Sequence, residues 1–249
     1  MRLIWIIVLV LVTAESVLAG SAGLERIDTR PGVKVSFYYM KRDGAKATVL
    51  LVSGGDGDIK IKNGVPTSKN FLVRSRELFA SNGLNVAVFD KKDSLFRCST
   101  EHIEDLRILA AYLKKDAKVP VWIIGTSMGT ISATAVATGV TNDELAGIVL
   151  TSSITSREAG AVTFQKLDAI QIPVLLVHHE FDACRICEPG DVSEIFRRLK
   201  NAKIKKEIYF SGGSVPKGNP CQALHYHGFV GIEKEVVDKI SAWITNPVL

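Results

Sequence analysis

The sequence predicts an α/β fold: a mostly parallel sheet with helices on both faces. Three observations carry that reading. Short β-branched apolar runs alternate along the chain with longer segments of helical periodicity. Several of those runs, notably Val49 to Val52, Val121 to Ile124 and Val174 to Val177, are apolar without alternation, as strands buried on both faces are. And 249 residues, 47% hydrophobic and 23% charged, suffice for one sizeable core.

The chain opens with Met1 and Arg2, an unbroken apolar run from Leu3 to Val12, and Val17-Leu18-Ala19 before Gly20. A positive start, about ten apolar residues and a small-residue cleavage site read as a secretory signal peptide over residues 1–19, because a membrane span needs about twenty apolar residues. One domain over 20–249 is expected, with no stable membrane span after cleavage and a periplasmic or secreted location. The strand candidates are Val33 to Tyr39, Ala47 to Ser53, Asn85 to Asp90, Val119 to Ile124, Gly147 to Ser152, Pro173 to His178 and Ile204 to Phe210. Helices are expected over Asn70 to Asn82, Glu101 to Lys115, Ser127 to Thr138, Val192 to Ala202 and Ile232 to Ile244.

Two of these helices show their packing faces directly. Ile103, Leu106, Leu109, Ala110 and Leu113 fall on one face of the second, with Ser99 or Thr100 as N-cap and His102 read as a surface residue. Val192, Ile195, Phe196 and Leu199 do the same for the fourth, for which Asp191 followed by Glu194 reads as the N-cap. No repeat or low-complexity stretch divides the chain. The net charge of +5 is scattered in short runs such as Lys114-Lys115, and without a basic stripe interleaved with aromatics no nucleic-acid partner is expected.

The chemistry concentrates at Val121-Trp122-Ile123-Ile124-Gly125-Thr126-Ser127-Met128-Gly129-Thr130, where a buried-type strand runs through G-x-S-x-G into a segment of small residues. Glycines two before and two after Ser127 let the backbone turn sharply from strand to helix, which is the setting of a nucleophile elbow. With Asp182 after the strand Pro173 to Val177, and His227 in His225-Tyr226-His227-Gly228-Phe229 before the last helix, the chain resembles the α/β-hydrolase family, whose triad follows the order Ser, Asp, His.

The resemblance spans nearly the whole mature chain and implies an α/β-hydrolase fold with Ser127 as nucleophile, His227 as base and Asp182 as the acid that orients it. From the residues alone, His225 is a rival base, and Glu180, Glu188 or Asp191 rival acids. The resemblance places the oxyanion donors at Met128, directly after the nucleophile, and at Gly55 or Asp56 in Ser53-Gly54-Gly55-Asp56-Gly57-Asp58, where Ser53 stands in place of the family's usual histidine. The segment from Ser152 to Pro173 is too short for a lid domain, so a minimal lid and a fairly open site are expected.

Export makes the four cysteines candidates for disulfides rather than for thiol chemistry or zinc. Cys184-x-x-Cys187 has half of a zinc spacing, but no second such pair accompanies it, and no metal or cofactor is expected. Cys221 is expected to bridge Cys184 or Cys187, fixing acid against base, and Cys98 to take the remaining cysteine. His178 and His179 are neighbours on a strand and point to opposite faces, so they do not form a metal pair. The function implied is cleavage of an ester, thioester or related acyl bond, in a small molecule or an envelope-derived substrate, through an acyl-enzyme. An acyltransferase with the same triad and a catalytically silent binding module are the alternatives.

Overall fold

A computed structural model describes residues 20–248, so the expected signal peptide, residues 1–19, lies outside the described residues. The strands β1 (Gly20–Arg30), β2 (Val33–Arg42), β3 (Thr48–Val52), β6 (Asn85–Asp90), β7 (Val121–Thr126), β8 (Gly147–Thr151), β9 (Val174–His179) and β10 (Lys205–Phe210) form one sheet in the order β1-β2-β6-β3-β7-β8-β9-β10. A two-residue hairpin, β4 (Ile61–Lys62) with β5 (Val65–Pro66), stands apart from it. Within the eight-stranded sheet, among the described residues, only the β1–β2 and β2–β6 pairs are antiparallel. From β6 to β10 every neighbouring pair is parallel.

Every residue of β3, β6, β7, β8 and β9 is buried, which is why these strands show no polar alternation in the sequence. Side chains that alternate along a strand enter opposite cores. Leu50, Ala87, Ile123, Leu150 and Leu176 pack on one face with residues of α3 (Thr100–Ala117), α4 (Met128–Ala137) and α5 (Val192–Arg198). Val49, Val88, Ile124, Val149 and Leu175 pack on the other with α1 (Phe71–Arg74), α2 (Arg76–Ser81) and α6 (Glu233–Thr245). The mostly parallel sheet with helices on both faces is therefore as the sequence predicts. Among the described residues no helix is long and apolar enough to cross a membrane.

The differences from expectation have local causes. β1 was not anticipated; its largely exposed sequence GSAGLERIDTR carries no apolar run, and its ladder with β2 together with the Arg30–Asp105 pair, at 2.8 and 2.9 Å, ties it to the fold. The helix expected over Asn70 to Asn82 breaks at Ser75, and the break allows the consecutive Phe71, Leu72 and Val73 all to be buried, which one face of a continuous surface helix does not provide. Asp191 does not cap α5. A 3₁₀ turn over Pro189–Asp191 leads into the helix, so Asp191 already has helical dihedrals and its side chain makes no capping bond. Ser99 does cap α3, accepting from the His102 amide at 3.2 Å.

His102 is not a surface residue but fully buried, with Nε2 2.9 Å from the Ser132 hydroxyl. It lies on the stripe of Leu106, Leu109 and Leu113, all of them buried, at helical spacings of four, seven and eleven. Burial first, and then the charge of Arg97, push its imidazole down to about 4, so it is neutral near pH 7.

Candidate active site

The loops at the carboxyl ends of the parallel strands converge on Ser127, the position where open α/β sheets bind ligands. Ser127 sits between β7 and α4 with φ 52° and ψ −126°, a conformation L side chains rarely adopt. The close packing that holds it there explains the flanking glycines. A Cβ on Gly129 would stand 2.0 Å from the carbonyl oxygen of Val52, so only glycine lets α4 press against the end of β3.

The sequence-predicted acid and base meet. His227 Nδ1 lies 2.8 Å from Asp182 Oδ2, and both residues are at least 95% buried. Asp182 accepts further from the Cys184 amide at 2.9 Å and faces His178 Nε2 at 3.4 Å, while His178 also contacts the Cys187 carbonyl oxygen at 2.9 Å. Burial alone pushes the Asp182 carboxyl up, but hydrogen bonds from His178 and His227 outweigh it and hold the group at about 2. The backbone at His227 is pinned as well. Ser152 donates its hydroxyl to the His227 carbonyl at 2.8 Å, and Arg74 donates to the Gly228 carbonyl at 2.6 Å while pairing with Glu233.

The rivals take other positions. Glu180, Glu188 and Asp191 are exposed, and His225 packs edge-on against Tyr226. His179 stacks on Tyr226 with Nε2 3.0 Å from the Gly212 carbonyl oxygen, on the opposite side of β9 from His178.

Ser127 and His227 line one cavity with Gly54, Gly55, Asn70, Cys221 and Ala223. The cavity holds only about 40 Å³, in contrast to the open site expected from the short lid segment. His227 Nε2 is buried without a hydrogen-bond partner, and the Ser127 hydroxyl hydrogen-bonds the Cys187 thiol. Burial, and next the Asp182 charge, keep that thiol protonated.

Of the expected oxyanion donors, Met128 opens α4, where the first backbone N–H groups have no partner within the helix. Gly55 lines the cavity, whereas Asp56 does not and is exposed, its carboxylate accepting from the Asp58 amide at 3.1 Å. A Cβ on Gly54 would come within 2.8 Å of Ser127 Cβ, so the early loop packs directly against Ser127.

Two contributors were missed in the sequence. Asn70 caps α1 through Oδ1 and lines the cavity, which the Asn-x-x-x-Arg entry to a helix could have suggested only as a cap. Arg97, 4% exposed, donates to the Gly55 carbonyl at 2.8 Å and to the Ser132 hydroxyl at 3.3 Å. Burial lowers its guanidinium to about 10 in spite of the nearby charges of Asp56 and Asp93. A lone arginine in a loop carries no sequence signal of such a role.

The cysteines divide as follows. Cys184 and Cys221 form a disulfide, which joins the loop of Asp182 to the loop before His227. Cys98 does not take the remaining cysteine: it is a free thiol packed beside Gly160, and Cys187 is free and buried by Ser127.

No family model matches the chain. No curated protein matches it either. Solved structures do: a dienelactone hydrolase from Anabaena variabilis superposes with a TM-score of 0.67 at 15% identity, covering 90% of this chain and 96% of that one. An esterase of Pyrococcus furiosus gives 0.65 at 17% identity, covering 91% and 92%. A cold-adapted esterase from an Arctic intertidal metagenomic library gives 0.61 at 16% identity, covering 88% and 92%. At these identities the likeness concerns the fold, which is that of the α/β-hydrolases.

Proposed function

We propose that the chain is an exported serine hydrolase that cleaves an ester, thioester or related acyl bond through an acyl-enzyme on Ser127. The observation that carries this is the meeting, in one small cavity, of a strained elbow serine and a buried imidazole whose far nitrogen is held by an ionised carboxylate. A serine hydroxyl is a weak nucleophile until a neighbouring base takes its proton. The hydroxyl turns from the Cys187 thiol to the unpartnered Nε2 of His227, which accepts the proton as Ser127 attacks the acyl carbon. Asp182, ionised down to about pH 2, stabilises the imidazolium that forms.

The developing oxyanion is met by the backbone N–H of Met128 and by that of Gly55, which shares the cavity with Ser127. His227 then protonates the leaving group, and a water activated by the same imidazole releases the acid. Only the reacting carbonyl fits a cavity of about 40 Å³, so the body of the substrate lies outside it. A hollow of about 560 Å³ shares Cys221 with that cavity and is lined by Glu158, Arg185, Ile186 and Asn219, which makes it the expected seat of a small acyl or leaving group. Together with the Leu3 to Val12 run, the Cys184–Cys221 bridge supports a periplasmic or secreted location.

Fluorophosphonate labelling of the mature chain beside Ser127→Ala and His227→Ala tests the reading. Wild type is expected to label and both variants to lose the label; a folded wild type that stays unlabelled points instead to a silent binding module.

A further inference from the structure

Three sulfurs and the imidazole assigned as base stand at one spot. One ligand atom each from Cys184, Cys187 and His227 lie within 4.8 Å of one another, and Cys221 is bonded to Cys184. Cys184 and Cys187 are the ends of a tight turn closed by a hydrogen bond from the Cys187 amide to the Cys184 carbonyl at 2.8 Å, and both side chains are buried. His227 is 4% exposed, its Nδ1 is held by Asp182, and its Nε2 is buried with no partner.

This is the donor set of a closed tetrahedral zinc site, with a carboxylate behind the histidine as metal-binding imidazoles commonly have. The two-residue spacing of the first pair is the usual one, and the remaining ligands come from Cys221 and His227 rather than from a second pair nearby. Around a tetrahedral ion at about 2.3 Å from each sulfur, sulfur ligands stand about 3.8 Å apart, so the ligand atoms of Cys184, Cys187 and His227, within 4.8 Å of one another, need to close by only about 1 Å, while the Cys184 and Cys221 sulfurs, bonded in the bridge, must move apart.

We propose that reduction of the Cys184–Cys221 bridge opens a site for one thiophilic ion of the zinc class, bound by the sulfurs of Cys184, Cys187 and Cys221 and by Nε2 of His227. The reductant is a dithiol: it is oxidised to its own disulfide while the protein bridge takes up two electrons and two protons to become two thiols. The ion then displaces the protons of the three thiols to solvent, and the neutral imidazole donates the Nε2 lone pair, its Nδ1–H remaining on Asp182. In the oxidised chain only Cys187 and His227 are free to ligate, too few to hold the ion. Occupancy removes the imidazole from acid–base work, a consequence that rests on the hydrolase reading above; the binding itself does not.

The test uses Co²⁺ as the probe, with the mature chain reduced by a phosphine and desalted without air. About one Co²⁺ per chain is expected, with a thiolate-to-cobalt charge-transfer band and the strong visible absorption of a tetrahedral ion, and none in the oxidised chain. Cys221→Ser cannot form the bridge and is expected to bind without reductant. Adding Cys187→Ser or His227→Ala to it abolishes the band, whereas Cys98→Ser or Ser127→Ala in the reduced chain leaves it unchanged. If Cys221→Ser is unfolded without metal, circular dichroism should show it refolding as Co²⁺ is added, since an ion that binds only the folded chain stabilises it. The proposal is overturned if neither the reduced wild type nor Cys221→Ser gives the band, if the band survives loss of Cys187 or His227, or if an unfolded Cys221→Ser stays unfolded with Co²⁺. Because Ser127→Ala reads binding without the nucleophile, and labelling of the oxidised chain reads the nucleophile without metal, failure of one reading is separable from failure of the other.

Discussion

The two walls of the Ser127 cavity are built by different means. On the side of the proposed acid and base, the loops carrying Asp182 and His227 are joined by the Cys184–Cys221 disulfide, and the carboxylate is met by His227, His178 and the Cys184 amide. On the other side, the Gly54–Gly55 loop has no covalent tie and is held by the buried Arg97, which bonds the Gly55 carbonyl and reaches Ser132 and, through it, His102. The contrast teaches that a charge centre and a backbone donor need different support. A buried carboxylate must stay ionised, which takes several donors; a backbone N–H needs only to have its peptide fixed.

The acid–base wall predicts the largest effect. Asp182→Asn keeps the size of the side chain but removes the charge that holds His227 in its tautomer, so kcat on a p-nitrophenyl ester should fall about 10⁴-fold. A fall of less than about tenfold would mean that Asp182 only shapes the wall. Next in size is the bridge. It closes a separation of 37 residues, and its loss in Cys184→Ala/Cys221→Ala is expected to cost about 4 kcal/mol in urea unfolding. A cost below about 1 kcal/mol would place this wall, like its counterpart, under the control of hydrogen bonds alone.

The sequence shows these two walls unequally. Ser127 and Asp182 can be found because each follows a run, Val121 to Ile124 or Val174 to Val177, whose lack of polar alternation marks a strand buried on both faces, and His227 because it stands in His225-Tyr226-His227-Gly228-Phe229 just before the last helix. The bridge follows from cysteines flanking the acid and preceding the base. The opposite wall leaves less trace. Arg97 acts through contacts with residues 42 and 35 positions away, and no local pattern encodes such pairings. His102 was misread because histidine is usually exposed, although its register with Leu106 and Leu109 places it on the buried stripe. β1 is missed because its stabilisation comes from its ladder with β2 and from Arg30 on Asp105 rather than from apolar residues of its own.

The walls also separate by pH. Asp182 holds its charge down to about 2, so its share of stability, present above the ordinary 3.8, is lost only as pH falls from there towards 2. His102 fails earlier. The unfolded chain protonates it near 6.5, whereas the folded chain resists until about 4, so stability falls as pH drops through that window. Between pH 7 and 4.5 this one group should cost about 2 kcal/mol in urea unfolding. His102→Gln, less stable at pH 7, should lose correspondingly less over the same interval. An equal loss in both proteins would assign the acid sensitivity to other groups.

The smallest effect sharpens the comparison most. Arg97→Lys keeps a buried cation but loses the planar fork that reaches Gly55 and Ser132 at once, so the Gly55 peptide is held by one weaker contact. Ser127, His227 and Asp182 are untouched, and binding of the substrate body, outside the small cavity, should not change. An interaction that serves only the developing oxyanion lowers kcat and kcat/KM together. The expected result is a fall in kcat of about tenfold, or about 1.4 kcal/mol, with KM nearly constant. Arg97→Ala should lose about 100-fold, and added guanidinium should restore part of that. A rise in KM at constant kcat would instead place Arg97 on the substrate itself, and the early loop would then owe its position to the Gly54 contact with Ser127.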